Sequence, residues 1–238
     1  LESQGIDSVG RTLRRTFYVL EKAWGILDRT LVDFKLEFDE SGRVSDVIDG
    51  DSWRLWHKGE AYDKQVFRDG GEATLSEVER KYGVIAQLSE QLAMPKQAVV
   101  FWTGSDKDWT PDVTLLCGAK VIKIASSGHK KTRACLDILE NLFTEYLQGG
   151  VIITNVGLSN GLGPILAAHS HWPVLSITDN ENAADDVWST LRTPSQVPLL
   201  AVNRRNALDA AIRILAQSNP MAYAHCQELI EDLEEYTV

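Results

Sequence analysis

Three cysteines in 238 residues, none in a CxxC pair, leave no framework for a zinc site or a set of disulfides. Cys117, Cys135 and Cys226 stand in apolar or helical contexts and read as reduced core thiols, which places the chain in the cytoplasm. No apolar run approaches the ~18 residues that cross a bilayer, and no signal-peptide pattern opens the chain, so neither a membrane span nor secretion is expected. Positive charge is scarce as well. With 24 Lys and Arg against 34 Asp and Glu the net charge is −10, and a chain without a basic face is no general nucleic-acid binder. The short basic pairs Lys130-Lys131 and Arg204-Arg205 are each enough for one phosphate. The chain opens on Leu1 rather than methionine and reads as a piece of something longer.

What is present is a 44% hydrophobic composition, enough for one large core or two modest ones, and a rhythm that changes near Met94-Pro95-Lys96. Before that point, Leu13, Phe17, Leu20, Trp24 and Leu27 recur at helical spacing. Residues 30–38 alternate with period two and put Asp33, Lys35 and Glu37 on one side. A turn at Glu40-Ser41-Gly42 and a second strand over 44–48 predict a hairpin, followed by a polar loop over 49–71 and a helix over 75–92. From Gln97 onward strands alternate with helices: strands over 98–103, 120–124, 151–155, 173–177 and 197–202, with a polar, clipped helix start after the first of them. This alternation predicts an α/β fold, a doubly wound three-layer parallel sheet over 97–238, preceded by a smaller α+β region over 1–94.

Ligands of such sheets gather beyond the C-terminal ends of the strands. Three polar loops fall there: Gly104-Ser105-Asp106-Lys107-Asp108, Ser126-Ser127-Gly128-His129-Lys130, and the stretch from Gly157 to Pro164. The last carries Ser159-Asn160-Gly161-Leu162-Gly163-Pro164 between an apolar strand and a helix, a corner whose unpaired backbone N–H groups suit an anion. Its spacing fits neither the dinucleotide fingerprint nor the P-loop, and a tight corner without a ligand is the alternative reading of that turn alone. His169-Ser170-His171 has no third ligand nearby and reads as no metal site. Trp53, Trp56, Trp102, Trp109, Trp172 and Trp188 read as core or interface packing, and the acidic stretch 228–235 as the wet face of a last helix.

Residue by residue, the second half resembles the phosphoribosylaminoimidazole carboxylase family of the animal, carbon-dioxide-using kind. Gly104, Ser105 and Asp108 match its Gly-Ser-x-x-Asp, and Ser127-Gly128-His129-Lys130 its Ser-Ala-His-Lys. Val156 to Pro164 match its Ala-Gly-Arg-Ser-Asn-Gly-Leu-Gly-Pro, and Asp186 to Ser195 its Asp-Val-Trp-Ser-x-Leu-Arg-x-Pro-Ser. The first half resembles the C-terminal part of phosphoribosylaminoimidazolesuccinocarboxamide synthetase, through Leu31 to Phe38, Asp46 to Trp56, Asp63-Lys64-Gln65 and Arg68-Asp69. The tandem order is that of the animal bifunctional purine-biosynthesis proteins, without the N-terminal synthetase lobe.

The resemblance implies carboxylation of 5-aminoimidazole ribonucleotide at ring carbon 4 by carbon dioxide, with no cofactor. His129 is then the proton shuttle and Lys130 the point charge for phosphate or nascent carboxylate. Gly104, Ser105, Asp108, Ser127, Ser159, Asn160 and Gly161 hold the nucleotide, and no metal is implied in this region. In the synthetase part, Lys35, Glu37, Asp46, Asp51 and Arg54 correspond to a remnant of an ATP–magnesium site, which a complete synthetase requires. The partners implied are a small nucleotide and carbon dioxide, with further copies of the chain in an octamer. Leu158 stands where the family has arginine, and Lys131-Thr132-Arg133-Ala134 where it has Gly-Pro-Asp-Glu, so Lys131 and Arg133 are the candidates to replace the missing charge. Two other readings remain open: a non-catalytic nucleotide-binding or scaffolding homologue, and an enzyme acting on a different small carboxylate or azole.

Overall fold

A computed structural model of the chain describes residues 2–62, 75–156, 160–178 and 184–235. Two compact units are present, residues 1–94 with 218–238, and residues 95–217. The last helix thus belongs with the first unit, although the alternation of strands and helices in the sequence runs on through it.

In the first unit, α1 (Glu2–Ile26) packs on β1 (Thr30–Phe34), which pairs antiparallel with β2 (Trp53–His57); β2 in turn pairs with β3 (Glu60–Ala61). Helix α2 (Leu75–Ser89) contributes Ile85 to a core shared with Trp24, Leu31, Trp53 and Leu55. Trp24 and Trp53 meet edge-on with ring centroids 5.5 Å apart, the geometry that the aromatic quadrupole favours.

The hairpin expected between residues 30–38 and 44–48 does not form as a strand pair. One bridge, Phe38 to Val44, and a 2.9 Å bond from the Ser45 N–H to the Glu37 carbonyl close that turn. The partner of β1 lies inside the segment read as a polar loop. Trp53 and Leu55 of β2 are buried, whereas Val44 is 43% and Val47 71% exposed, so only β2 can seal the sheet face.

The last helix, α7 (Pro220–Glu235), lies along α1. Asn219 opens it by accepting from the N–H groups of Met221 and Ala222 at 2.9 and 3.1 Å. Arg15 makes a two-pronged ion pair with Glu228, and Tyr223 donates to Glu21 at 2.9 Å. Tyr18 donates to Glu231, and this bond, followed by burial, pushes its phenol up from 10.0 to about 12. A phenol that holds its proton more tightly when folded stabilises the helix pair below pH 10, and that stabilisation is lost as pH rises from 10 toward 12. Tyr18→Phe is therefore expected to be less stable than wild type at neutral pH and to flatten the fall in unfolding free energy across that window. Equal pH dependence in the two proteins, followed by denaturant titration, would contradict the assignment.

The second unit holds β4 (Ala98–Thr103), β5 (Leu115–Leu116), β6 (Ala119–Ala125), α3 (Thr132–Glu145), β7 (Gly150–Val156), α4 (Leu162–His169), β8 (Val174–Thr178), α5 (Ala184–Leu191), β9 (Leu199–Ala201) and α6 (Ala207–Leu215). Its sheet runs β5-β6-β4-β7-β8-β9, parallel except for the short edge strand β5. Every residue of β4 is buried, as expected for a central strand covered on both faces. Ala98, Val100, Trp102 and Ile152 face α3 and α4. The alternate residues Val99, Phe101, Val151 and Ile153 lie on the opposite face, where α6 packs on β7 and β8. The fold is the doubly wound α/β sheet that the alternation predicts.

The clipped helix expected after β4 is absent: among the described residues 104–114 there is none. Pro111 and the lack of apolar periodicity disfavour one, and Trp109, edge-on to Phe101 with centroids 6.3 Å apart, covers the strand instead.

Candidate active site

In order of appearance the five parallel strands lie 2-1-3-4-5, so connections leave β4 and β7 in opposite directions. This is the topological switch point at which open α/β sheets bind ligands. The loops after β4, β6 and β7 all belong to that rim.

The loop after β4 is held by its own polar groups. The Asp108 carboxylate accepts from the Ser105 N–H at 2.8 Å, and the Ser105 hydroxyl accepts from the Lys107 N–H at 3.2 Å. The Thr103 hydroxyl donates to the Ser105 carbonyl at 2.8 Å. At the end of β7, Asn155 donates from Nδ2 to the Trp109 carbonyl at 3.4 Å, and the Arg204 guanidinium sits 5.2 Å from the Trp109 ring centroid. Asn155 and the Arg204–Trp109 stack were not singled out from sequence as a pair of loop anchors. The available signal was the polar Thr154-Asn155 at the end of an otherwise apolar strand.

The loop after β6 is pinned at its root. The Ser126 N–H donates to the Thr103 carbonyl at 2.9 Å, and the buried Trp102 indole donates to the Ser126 carbonyl at 3.3 Å. Cys135 lies 3.4 Å from the Ser126 hydroxyl, inside the core. Ser127 then begins the turn into α3, its carbonyl accepting from the Lys131 N–H at 2.9 Å.

This loop and the start of α4 interlock without spare volume. A Cβ on Gly128 would stand 2.8 Å from Leu162 Cα, and one on Gly161 would stand 1.9 Å from Cε1 and 2.1 Å from Nε2 of His129. The imidazole therefore rests directly on the Gly161 backbone, at the positive end of α4, while the side chain stays exposed to solvent. The Asn160 side-chain Oδ1 accepts from the Gly163 N–H at 3.1 Å.

Of the residues proposed from sequence, the structure brings Ser127, His129, Asn160 and Gly161 together and places Gly104, Ser105 and Asp108 on the neighbouring loop of the same rim. Lys130 and Lys131 are exposed and make no ion pair among the described residues. Arg133 is paired with Asp137 at 3.0 Å one helical turn on. Leu158 and Ser159 lie outside the described residues, as do Asp63-Lys64-Gln65 and Arg68-Asp69.

In the first unit, Lys35, Glu37, Asp46 and Asp51 line one cavity of about 220 Å³ with Asp49 and Ser52. Arg54 sits apart from it on β2, paired with Asp33 across the strands. Carboxylate oxygens are the donors magnesium prefers, but this set does not fit the ion. Lys35 donates a hydrogen bond to Glu37, and this bond, followed by the charge attraction between the two, raises the Lys35 pKa. Asp46 and Asp49 accept from the nearby N–H groups of Val47 and Asp51. Among the described residues no three acidic, His or Cys side chains are grouped so that they could hold a metal ion. His171 packs its ring on Phe143, with centroids 4.1 Å apart. Trp53, Trp102 and Trp172 are buried, whereas Trp56, Trp109 and Trp188 are partly exposed. No described helix is long and apolar enough to cross a membrane.

A doubly wound sheet with a histidine seated on a glycine at its switch-point rim is the arrangement in which the α/β class places its ligand sites. The chain belongs to the AIR carboxylase family, whose model matches residues 98–236; residues 1–84 match the SAICAR synthetase model. It is 32% identical over 237 residues to the probable multifunctional protein ADE2 of Caenorhabditis elegans, covering 92% of this chain and 56% of that protein. It is 31% identical over 208 residues to the bifunctional phosphoribosylaminoimidazole carboxylase/phosphoribosylaminoimidazole succinocarboxamide synthetase of Drosophila melanogaster, covering 80% of this chain and 48% of that one. The chain is also 42% identical over 94 residues to phosphoribosylaminoimidazole-succinocarboxamide synthase of Chloroflexus aurantiacus, covering 35% of this chain and 38% of the synthase. The chain spans about half the length of the bifunctional relatives.

Proposed function

We propose that the rim of the second unit carboxylates 5-aminoimidazole ribonucleotide in purine biosynthesis, using carbon dioxide. The observation that carries this reading is His129 seated on Gly161 between two interlocked loops at the switch point. The electron-rich ring carbon 4 attacks carbon dioxide and forms the carbon–carbon bond. The proton it carried must then leave to restore the aromatic ring, and His129 accepts it and releases it to solvent. No electrons are transferred and no phosphate is cleaved, so neither ATP nor a cofactor is required. Lys130 and Lys131 supply positive charge for the phosphate and the new carboxylate. Ser105, Asp108, Ser127 and Ser159 hold the nucleotide, with the backbone of Gly104, Asn160 and Gly161 lining its approach.

The first unit keeps the Lys35, Glu37, Asp46 and Asp51 remnant of a site that handles ATP and magnesium in a complete synthetase. With Arg54 turned to Asp33 it performs no phosphoryl transfer in this chain alone. The working form is a homo-oligomer in the cytoplasm, with eight copies the count the family resemblance implies.

The test is an ATP-free assay with aminoimidazole ribonucleotide and bicarbonate, comparing wild type with His129→Ala. Loss of about 100-fold or more in kcat is expected, the scale of a positioned acid–base group. A folded wild type without turnover points instead to a nucleotide-binding or scaffolding homologue.

A further inference from the structure

The Asn160 side chain is committed to the protein interior. Its Oδ1 accepts from the Gly163 N–H at 3.1 Å, and a backbone N–H can only donate, so the amide orientation is settled. The two amide hydrogens then point to the hydroxyls of Ser176 at 3.1 Å and Thr190 at 2.9 Å. Ser176 on β8 and Thr190 on α5 are 2% and 1% exposed, and the Thr190 hydroxyl lies 3.4 Å from that of Ser176. A Cβ on Gly163 would stand 2.6 Å from Asn160 Oδ1, so the amide fills the space this glycine leaves open.

We infer that Asn160 is a positioning residue: with Ser176 and Thr190 it fixes the Gly161 turn on which His129 rests, tying β8 and α5 to the placement of the imidazole. The inference deepens the carboxylase reading and rests on it for its kinetic consequence. Three elements distant in sequence converge on one amide, and the neighbouring residue touches the imidazole ring. The same network gives the stretch from Asp186 to Ser195 a structural task, because Thr190 lies within it. An amide held between two buried hydroxyls that loses one of them must turn or draw in water, and either response moves the backbone one residue from Gly161.

Thr190→Val keeps the shape of the side chain and removes the acceptor, while Thr190→Ser keeps the hydroxyl. Thr190→Val is expected to lower kcat about 10- to 100-fold, the cost of a displacement near 1 Å, with KM within about twofold; Thr190→Ser recovers wild-type values. In histidine side-chain NMR, with the His129 signal assigned through His129→Ala, the resonance moves in Thr190→Val and returns in Thr190→Ser. An unmoved His129 resonance in folded Thr190→Val overturns the inference, whatever happens to the rate. Should wild type show no turnover, the carboxylase reading fails and the resonance alone decides the positioning. Should Thr190→Val not fold, Ser176→Ala, which removes the other acceptor, is read in the same way.

Discussion

Gly161→Ala is expected to fold with near-wild-type stability and to lose carboxylation to the level of His129→Ala. The Gly161 backbone has φ −86° and ψ −28°, a right-handed conformation open to alanine, so no backbone strain opposes the change. The new Cβ would meet the His129 ring at 1.9 to 2.5 Å, which no packing tolerates. The ring ends an exposed side chain with two rotatable bonds, and it swings away at small cost. The fold survives and the imidazole leaves its place, with a loss of roughly 10²- to 10⁴-fold in kcat. In a His129→Ala background the ring atoms it would strike are gone, and the same alanine is expected to change neither rate nor stability. Measuring kcat and Tm for the four proteins of this cycle separates the two contributions, and a single mutant with wild-type rate would show that His129 is not held by this contact. Gly128→Ala makes an instructive contrast. Its Cβ meets Leu162 Cα at 2.8 Å, and backbone cannot swing aside, so the cost falls on stability.

The largest effect on stability is expected at Gly150. It opens the central strand β7 opposite Ala98, and a Cβ there would stand 2.5 Å from the Ala98 carbonyl oxygen and 2.6 Å from Trp172 Cζ3. The carbonyl belongs to the fully buried β4 and Trp172 is 4% exposed within the core. Neither has room to retreat in an interior packed as densely as a crystal. Gly150→Ala is therefore expected to lose about 3 kcal/mol and to melt about 6–12 °C lower. Calorimetry decides it: an unchanged melting temperature would mean that β4 and β7 do not approach as closely as described.

The parallel sheet was legible in the sequence because its strands are buried on both faces and appear as unbroken apolar runs, as in residues 98–102 and 151–153. Strand β2 was not, since Trp53 to His57 is a brief alternation inside a charged segment, and the turn at Ser41-Gly42 offered a nearer but exposed partner. The missing helix after β4 follows the same logic. A polar start looked like a helix, yet only the packing of Trp109 on Phe101 reveals that the strand face is already covered. His129, Ser127 and the glycine turn could be found as neighbours on a rim because strand ends predict where loops gather. Asn155, Ser176 and Thr190 could not, because a polar residue in a strand or helix declares no partner until the fold supplies one. The glycines at 128, 161 and 163 are each required chiefly by what stands beside them.

The most direct measurement is the fate of ¹³C-labelled bicarbonate incubated with the wild-type chain and aminoimidazole ribonucleotide in the absence of ATP. The account predicts label in a new carboxylate bonded to ring carbon 4, formed at a rate proportional to protein and lost with His129→Ala. Unlabelled nucleotide recovered intact from a folded, oligomeric sample, or labelling that appears only when ATP is added, would contradict it.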